Sequence, residues 1–176
     1  MEMDSQKFLS LVHLIIHDCK DPDQLGKTKL HKILWFSEAL AYLNWGNSIT
    51  GEQFVKDKYG PVAMSLNFVL RHLLFNRKIN IDDVSFFEVR KEQYQSLTEP
   101  DRSQFEEKEL TLIGDVARQI CEEHTAGTIS ELSHNRIWEV AERWQDLPHQ
   151  SLFMAKKGEL TESEWDKVKC EIAARA

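Results

Sequence analysis

Lys58-Tyr59-Gly60-Pro61-Val62 constrains this chain more than any other segment. Gly60 can take backbone angles closed to residues with a Cβ, and Pro61 fixes its own φ and carries no N–H. An extended-looking stretch, Gln53 to Lys56, precedes the pair, and a helical pattern follows from Val62. Proline suits the first turn of a helix, where the missing N–H costs nothing. The sequence therefore predicts a sharp corner carrying Tyr59, with a helix opening there and running from about Pro61 to Arg77.

The rest of the chain reads as mainly helical. Phe8 to Ile16 is dense in Leu, Ile and Val and predicts a first helix. Thr28 is placed to cap a second helix to about Trp45. Leu30, Ile33, Leu34, Leu40 and Leu43 form its apolar stripe, and Lys29, Lys32 and Glu38 fall on another face. Val62, Leu66, Val69, Leu70 and Leu73 form the stripe of the third helix. The β-formers Val84, Phe86, Phe87 and Val89, followed by Tyr94 and Leu97, predict a hairpin. A fourth helix is predicted from Gln104 to Glu123, with Leu110, Ile113, Val116, Ala117 and Ile120 inward. Thr128-Ile129-Ser130-Glu131 has the form of a capping box and predicts a short helix, with another over Ile137 to Trp144. A second capping box at Thr161-Glu162-Ser163-Glu164 opens a terminal helix, 161–175. No linker or repeat interrupts residues 1–176, which read as a single α+β domain: a helical bundle with a small β-hairpin or short sheet.

Charge narrows the class of partner. The 22 Lys and Arg residues against 29 Asp and Glu leave a net charge of −7, which argues against broad electrostatic binding to nucleic acid and suits a basic protein partner. Lys27, Lys29, Lys32, Arg71, His72, Arg77 and Lys78 supply the only local basic richness. No apolar run approaches a membrane span, and the opening Met1-Glu2-Met3-Asp4 lacks the basic start of a signal peptide. Cys19, Cys121 and Cys170 are odd in number and far apart, which fits a reduced, cytoplasmic protein.

Catalytic and metal motifs are fragmentary. Gly26-Lys27-Thr28 resembles the end of a phosphate-binding loop, but Asp21 stands where the first glycine belongs. His13 and His17, and Cys121 and His124, have ligand-like spacing without the second half of a metal site. Ser133-His134 has no elbow glycines and no acid placed to orient the histidine. His134 and Trp138, four apart, suit stacking on one helix face. No catalytic residue, metal or cofactor is expected. Trp45, Trp144 and Trp165 are candidates for an interface.

Three segments together carry a family resemblance. Lys29-Leu30-His31-Lys32-Ile33-Leu34-Trp35-Phe36 resembles the Lys-Leu-x-Lys helix of SocA-like Panacea domains. Tyr59-Gly60-Pro61-Val62 resembles that family's aromatic-Gly-Pro-Val corner. Ile129-Ser130-Glu131-Leu132-Ser133-His134 with Trp138 resembles its Leu-x-x-x-His…Trp segment. Order and spacing agree over roughly 29–144. Trp35 stands where the family more often has tyrosine, and the segment after Trp144 follows the pattern poorly.

The resemblance implies an antitoxin of a bacterial or phage toxin–antitoxin pair, acting on a toxin protein by direct binding rather than as an enzyme. The chain has no spare length for the DNA-binding segment of some members. The alternative is a proteolytic adaptor, which presents another protein to a protease, or a phage- or prophage-associated regulatory interaction protein; a protease or chaperone is then a further expected partner. The residues carried over as scaffold or binding positions are Lys29, Leu30, Lys32, Tyr59, Gly60, Pro61, His134 and Trp138. Lys29 and Lys32, charged on a helix whose other face is buried, are expected to make the contacts.

Overall fold

A computed structural model describes residues 3–86 and 89–153. The expected terminal helix 161–175, with Trp165 and Cys170, lies outside the described residues, as does Phe87. The elements are α1 (Ser5–Asp18), α2 (Lys27–Trp45), β1 (Phe54–Asp57), β2 (Gly60–Ala63), α3 (Leu66–Phe75), β3 (Ile79–Phe86), β4 (Val89–Ser96), α4 (Glu107–Glu123), α5 (Ala126–Ser133) and α6 (Arg136–Val140). Short 3-10 turns occupy Arg102–Gln104 and His149–Phe153. The fold is mainly α with two antiparallel hairpins, β1–β2 and β3–β4. The latter runs in register from Ile79↔Ser96 to Phe86↔Val89.

α2 is the axis of the molecule. Every residue from Lys29 to Trp35 is buried, the signature of a helix packed on all sides. It lies against α1, α4, α5, β2, β4 and the His149–Phe153 turn. Leu30, Ile33, Leu34 and Trp35 are fully buried, and each such aliphatic side chain contributes about 1.5–3 kcal/mol. Trp35 meets Phe54 of β1 edge-on, with centroids 5.2 Å apart. The helix stops at Gly46, which takes φ +77° and donates its N–H to Tyr42 C=O at 2.8 Å.

A buried carboxyl ties the N-terminal parts together. Glu38 of α2 accepts from Thr50 N at 3.1 Å and from the Thr50 hydroxyl. Thr50 C=O accepts from Asp4 N at 2.8 Å. The Asp4 carboxylate in turn caps α1 through Gln6 N and Lys7 N.

Several expected helix starts move, α4 among them, to Glu107. Gly26, not Thr28, caps α2, because Leu30 N already reaches Gly26 C=O at 3.0 Å and closes the first turn early. α5 begins at Ala126 with Thr125 as its cap. Thr125 and Thr128 satisfy each other's backbone N–H groups, so a threonine does the reciprocal work expected of Glu131. The helix expected from Pro61 begins at Leu66, because residues 60–63 pair with β1 as a strand. α6 ends at Val140, short of Trp144.

Burial pushes the Glu38 carboxyl up to about 7, against the Thr50 hydrogen bonds, which favour the ionised form. A carboxyl raised in the folded state contributes stability in full below its unfolded pKa and loses it as pH rises through the folded value. Wild-type stability should therefore fall relative to Glu38→Gln between pH 4.5 and 7, by roughly 3 kcal/mol at most. Urea titrations of both proteins across that window check this, and parallel pH profiles would refute it.

Candidate functional site

The β1–β2 hairpin explains why glycine and proline stand together. Met64 N donates to Gln53 C=O at 3.0 Å, so with the observed register the hydrogen-bonded pairs are Val55↔Val62 and Asp57↔Gly60. Residues 61 and 63 then turn their main-chain groups away from β1. Proline at 61 leaves no ladder bond unmade. The turn Asp57-Lys58-Tyr59-Gly60 returns the chain through Gly60 at φ +102°, a conformation glycine adopts without penalty. Tyr59 stands exposed at the tip.

α2 side chains complete the outer edge of β2. Lys32 Nζ donates to Pro61 C=O at 2.9 Å, and His31 Nδ1 accepts from Ala63 N at 3.1 Å. Burial first, then the Lys32 and Lys27 charges, push His31 down to about 3, so its imidazole is neutral and Nδ1 is free to accept. Burial pushes the Lys32 amine down to about 7, with Asp57 opposing. The far edge of β1 is closed by backbone: Leu147 N to Phe54 C=O, Lys56 N to Gln145 C=O, and Trp144 N to Lys56 C=O, all at 2.8–2.9 Å. A short hairpin is thus bonded along both edges.

The three motif segments meet at Gly60. A Cβ there would lie 2.7 Å from Lys32 Nζ of α2 and would run into Ser133 Oγ of α5. Ser133 Oγ donates to Ser130 C=O at 2.7 Å, so it belongs to helix packing and not to a nucleophile–base pair. His134 follows as the C-cap of α5 and stacks on Trp138 of α6, with centroids 3.6 Å apart and planes 4° from parallel. The stack joins two helices instead of decorating one. Trp138 Nε1 donates to Asp57 C=O at 3.2 Å, and Lys56 Nζ lies 4.5 Å from its ring centroid.

Lys29 and Lys32 require correction. Both are buried, and Lys29 Nζ donates to Cys121 C=O at 3.1 Å. They face protein, because residues 29–35 of α2 are enclosed on all sides. Leu30 is fully buried beside them. The chain Ile33-Leu34-Trp35-Phe36 directly after Lys32 was the available signal, since four consecutive apolar residues leave a helix no polar face. The sequence assigns no role to His31 or Asn135. Asn135 caps α6 through Trp138 N at 2.9 Å and donates to Ser151 C=O at 2.9 Å; its place just before an apolar run is a cap signature.

The other candidates have structural partners. His13 Nε2 lies 3.1 Å from Ser96 Oγ, and His17 faces Asp18 and Glu99. Among the described residues, no group of three or more His, Cys, Asp or Glu is placed to hold a metal, and no helix is long and apolar enough to cross a membrane.

Beside the corner lies a cleft of about 470 Å³, with Lys32 and His31 at its lining and Tyr59, Met64 and Trp144 among its walls. These three apolar side chains are 57%, 55% and 58% exposed. Trp144 also holds φ +69°, an uncommon conformation for a bulky residue, fixed by its bond to Lys56 C=O.

The family model described as "Antitoxin SocA-like, Panacea domain" matches residues 30–139, more than half of the chain. No curated protein and no solved structure matches it significantly.

Two outcomes test the corner. Gly60→Ala should cost about 3 kcal/mol or more, since the new methyl adds backbone strain and displaces the Lys32 amine; a urea-denaturation loss under about 1 kcal/mol would be incompatible with this packing. For Lys32, whose folded pKa is depressed, stability relative to Lys32→Met should rise as pH goes from 7 to 10.5, by at most roughly 5 kcal/mol. Thermal melts of the pair across that range would disprove it if the gap stayed constant.

Proposed function

This chain belongs to the SocA-like Panacea family of antitoxins, and from that premise we propose that it neutralises a cognate toxin by direct protein–protein binding, in the cytoplasm and without chemistry of its own. The observation that carries the contact surface is the exposed rim of Tyr59, Met64 and Trp144 over the cleft beside the Gly60-Pro61 corner. Large aromatic and methionine side chains left in water are costly unless a partner covers them, and such residues dominate binding hot spots. Trp144 supports the reading twice: its ring is exposed, and its backbone is held in a strained conformation of the kind that persists at functional positions.

Lys29, Leu30, Lys32, Gly60, Pro61, His134 and Trp138 serve in this reading as the scaffold that presents the rim. Tyr59 is the motif residue that reaches the partner. The net charge of −7 speeds encounter with a basic toxin, while the apolar rim supplies the short-range affinity.

Co-expression with the adjacent gene tests the proposal. That gene should arrest growth alone, and this chain should restore it. Tyr59→Ala and Trp144→Ala should each weaken the purified complex by about 30-fold or more, with circular dichroism and Tm unchanged. A harmless neighbour, or full rescue by a folded double variant, would overturn the assignment. Recovery of a protease or chaperone instead of a toxin in pull-downs would establish the adaptor reading in its place.

A further inference from the structure

Cys19 and Cys121, which the sequence separates by 102 positions, lie with their sulfurs 3.5 Å apart. Cys19 is the C-cap of α1 and Cys121 sits in the last turn of α4. Both are only partly buried, and both line a cleft of about 400 Å³ open between Asp18, Lys20, Gln24 and Arg118. A small solute therefore reaches the sulfur pair. The gap to a covalent S–S bond of about 2.05 Å is roughly 1.5 Å, within the reach of side-chain rotation at a helix terminus.

We infer that Cys19 and Cys121 form a peroxide-reactive dithiol that closes to an intramolecular disulfide. The two sulfurs have distinct roles. The hydrogen bond between the two sulfurs holds the Cys121 thiol below its ordinary range, with burial opposing it and the Lys29 ammonium adding to the effect. The same bond holds the Cys19 thiol up. Lys29 is anchored there by its bond to Cys121 C=O. Cys121 is thus the attacking thiolate, with the Lys29 charge favouring it, the Glu122 and Asp21 carboxylates opposing, and the cleft giving solvent access.

The chemistry balances with hydrogen peroxide as oxidant. The Cys121 thiolate attacks one peroxide oxygen, the O–O bond breaks, and hydroxide leaves and takes a proton to become water. Cys121 is now a sulfenic acid. Cys19 gives up its proton and attacks the Cys121 sulfur, expelling a second hydroxide that leaves as water. Two thiols and one peroxide become one disulfide and two waters. In a reducing compartment such a bond is transient, which is the behaviour of a sensor and not of a structural brace.

The full reduced chain, treated with hydrogen peroxide, alkylated with N-ethylmaleimide and digested without reductant, gives the decisive reading. The expected result is loss of alkylation at Cys19 and Cys121 and a Cys19–Cys121 cross-linked peptide, reversed by dithiothreitol and unchanged in Cys170→Ser. Cys19→Ser should leave a Cys121 sulfenic acid that dimedone traps. Two thiols still fully alkylated after peroxide, a disulfide formed through Cys170 or between two chains, or trapping at Cys19 instead of Cys121 in the matching Cys121→Ser comparison would each overturn the inference.

Discussion

The hydrogen bond from the buried Lys32 amine to Pro61 C=O governs the arrangement of the whole centre. A two-stranded hairpin on its own is marginal in water, because each strand exposes an unpaired edge. Here β1 is closed by the backbone of residues 144–147, and β2 is closed by two consecutive side chains of α2. His31 accepts where a neighbouring strand would offer a carbonyl, and Lys32 donates where it would offer an N–H. The helix stands in for a strand, and the hairpin becomes a fixed part of the core.

That substitution dictates what can stand opposite. The lysine stem fills the space a Cβ at position 60 would occupy, and Ser133 fills it from the other side. Only glycine satisfies both the volume and the positive φ. Proline follows because its missing N–H falls on the edge that Lys32 approaches only through a carbonyl. The His134–Trp138 stack then clamps the hairpin from beyond, through Asp57 C=O and Lys56. Residues scattered from α2 to α6 are therefore bonded into one unit, with Tyr59 and Trp144 exposed at its margin.

The elements were largely legible from local pattern. Apolar density and spacing located α1 through α4, a cluster of β-formers located the β3–β4 hairpin, and the spacing of His134 and Trp138 anticipated their contact. The site was legible as a set of residues but not as a geometry. Periodicity assigns lysines to solvent, so Lys32 was read as a contact residue when four apolar neighbours had already enclosed it. Pro61 obeyed the helix-start rule locally, yet β1 needed a partner, and pairing across a four-residue turn won. The Cys19–Cys121 approach was invisible for a plainer reason: it depends on how α1 and α4 pack, and nothing near either cysteine encodes that.

A buried lysine is an expensive donor, and its persistence here needs a physical reason. Full burial of a charge would cost several kcal/mol with no paired carboxylate in hydrogen-bond contact. Deprotonation caps that cost without removing it: the fall to about pKa 7 is the penalty felt at neutral pH, and it eases as pH rises, where the neutral amine still donates to Pro61 C=O. A leucine or methionine would remove the cost but leave the Pro61 carbonyl buried without a partner, which costs about 1–3 kcal/mol and loosens the register of β2. The lysine thus trades stability for a single defined position of the corner. Under the proposed function, a rim held in place by that exchange would lower the ordering cost of association.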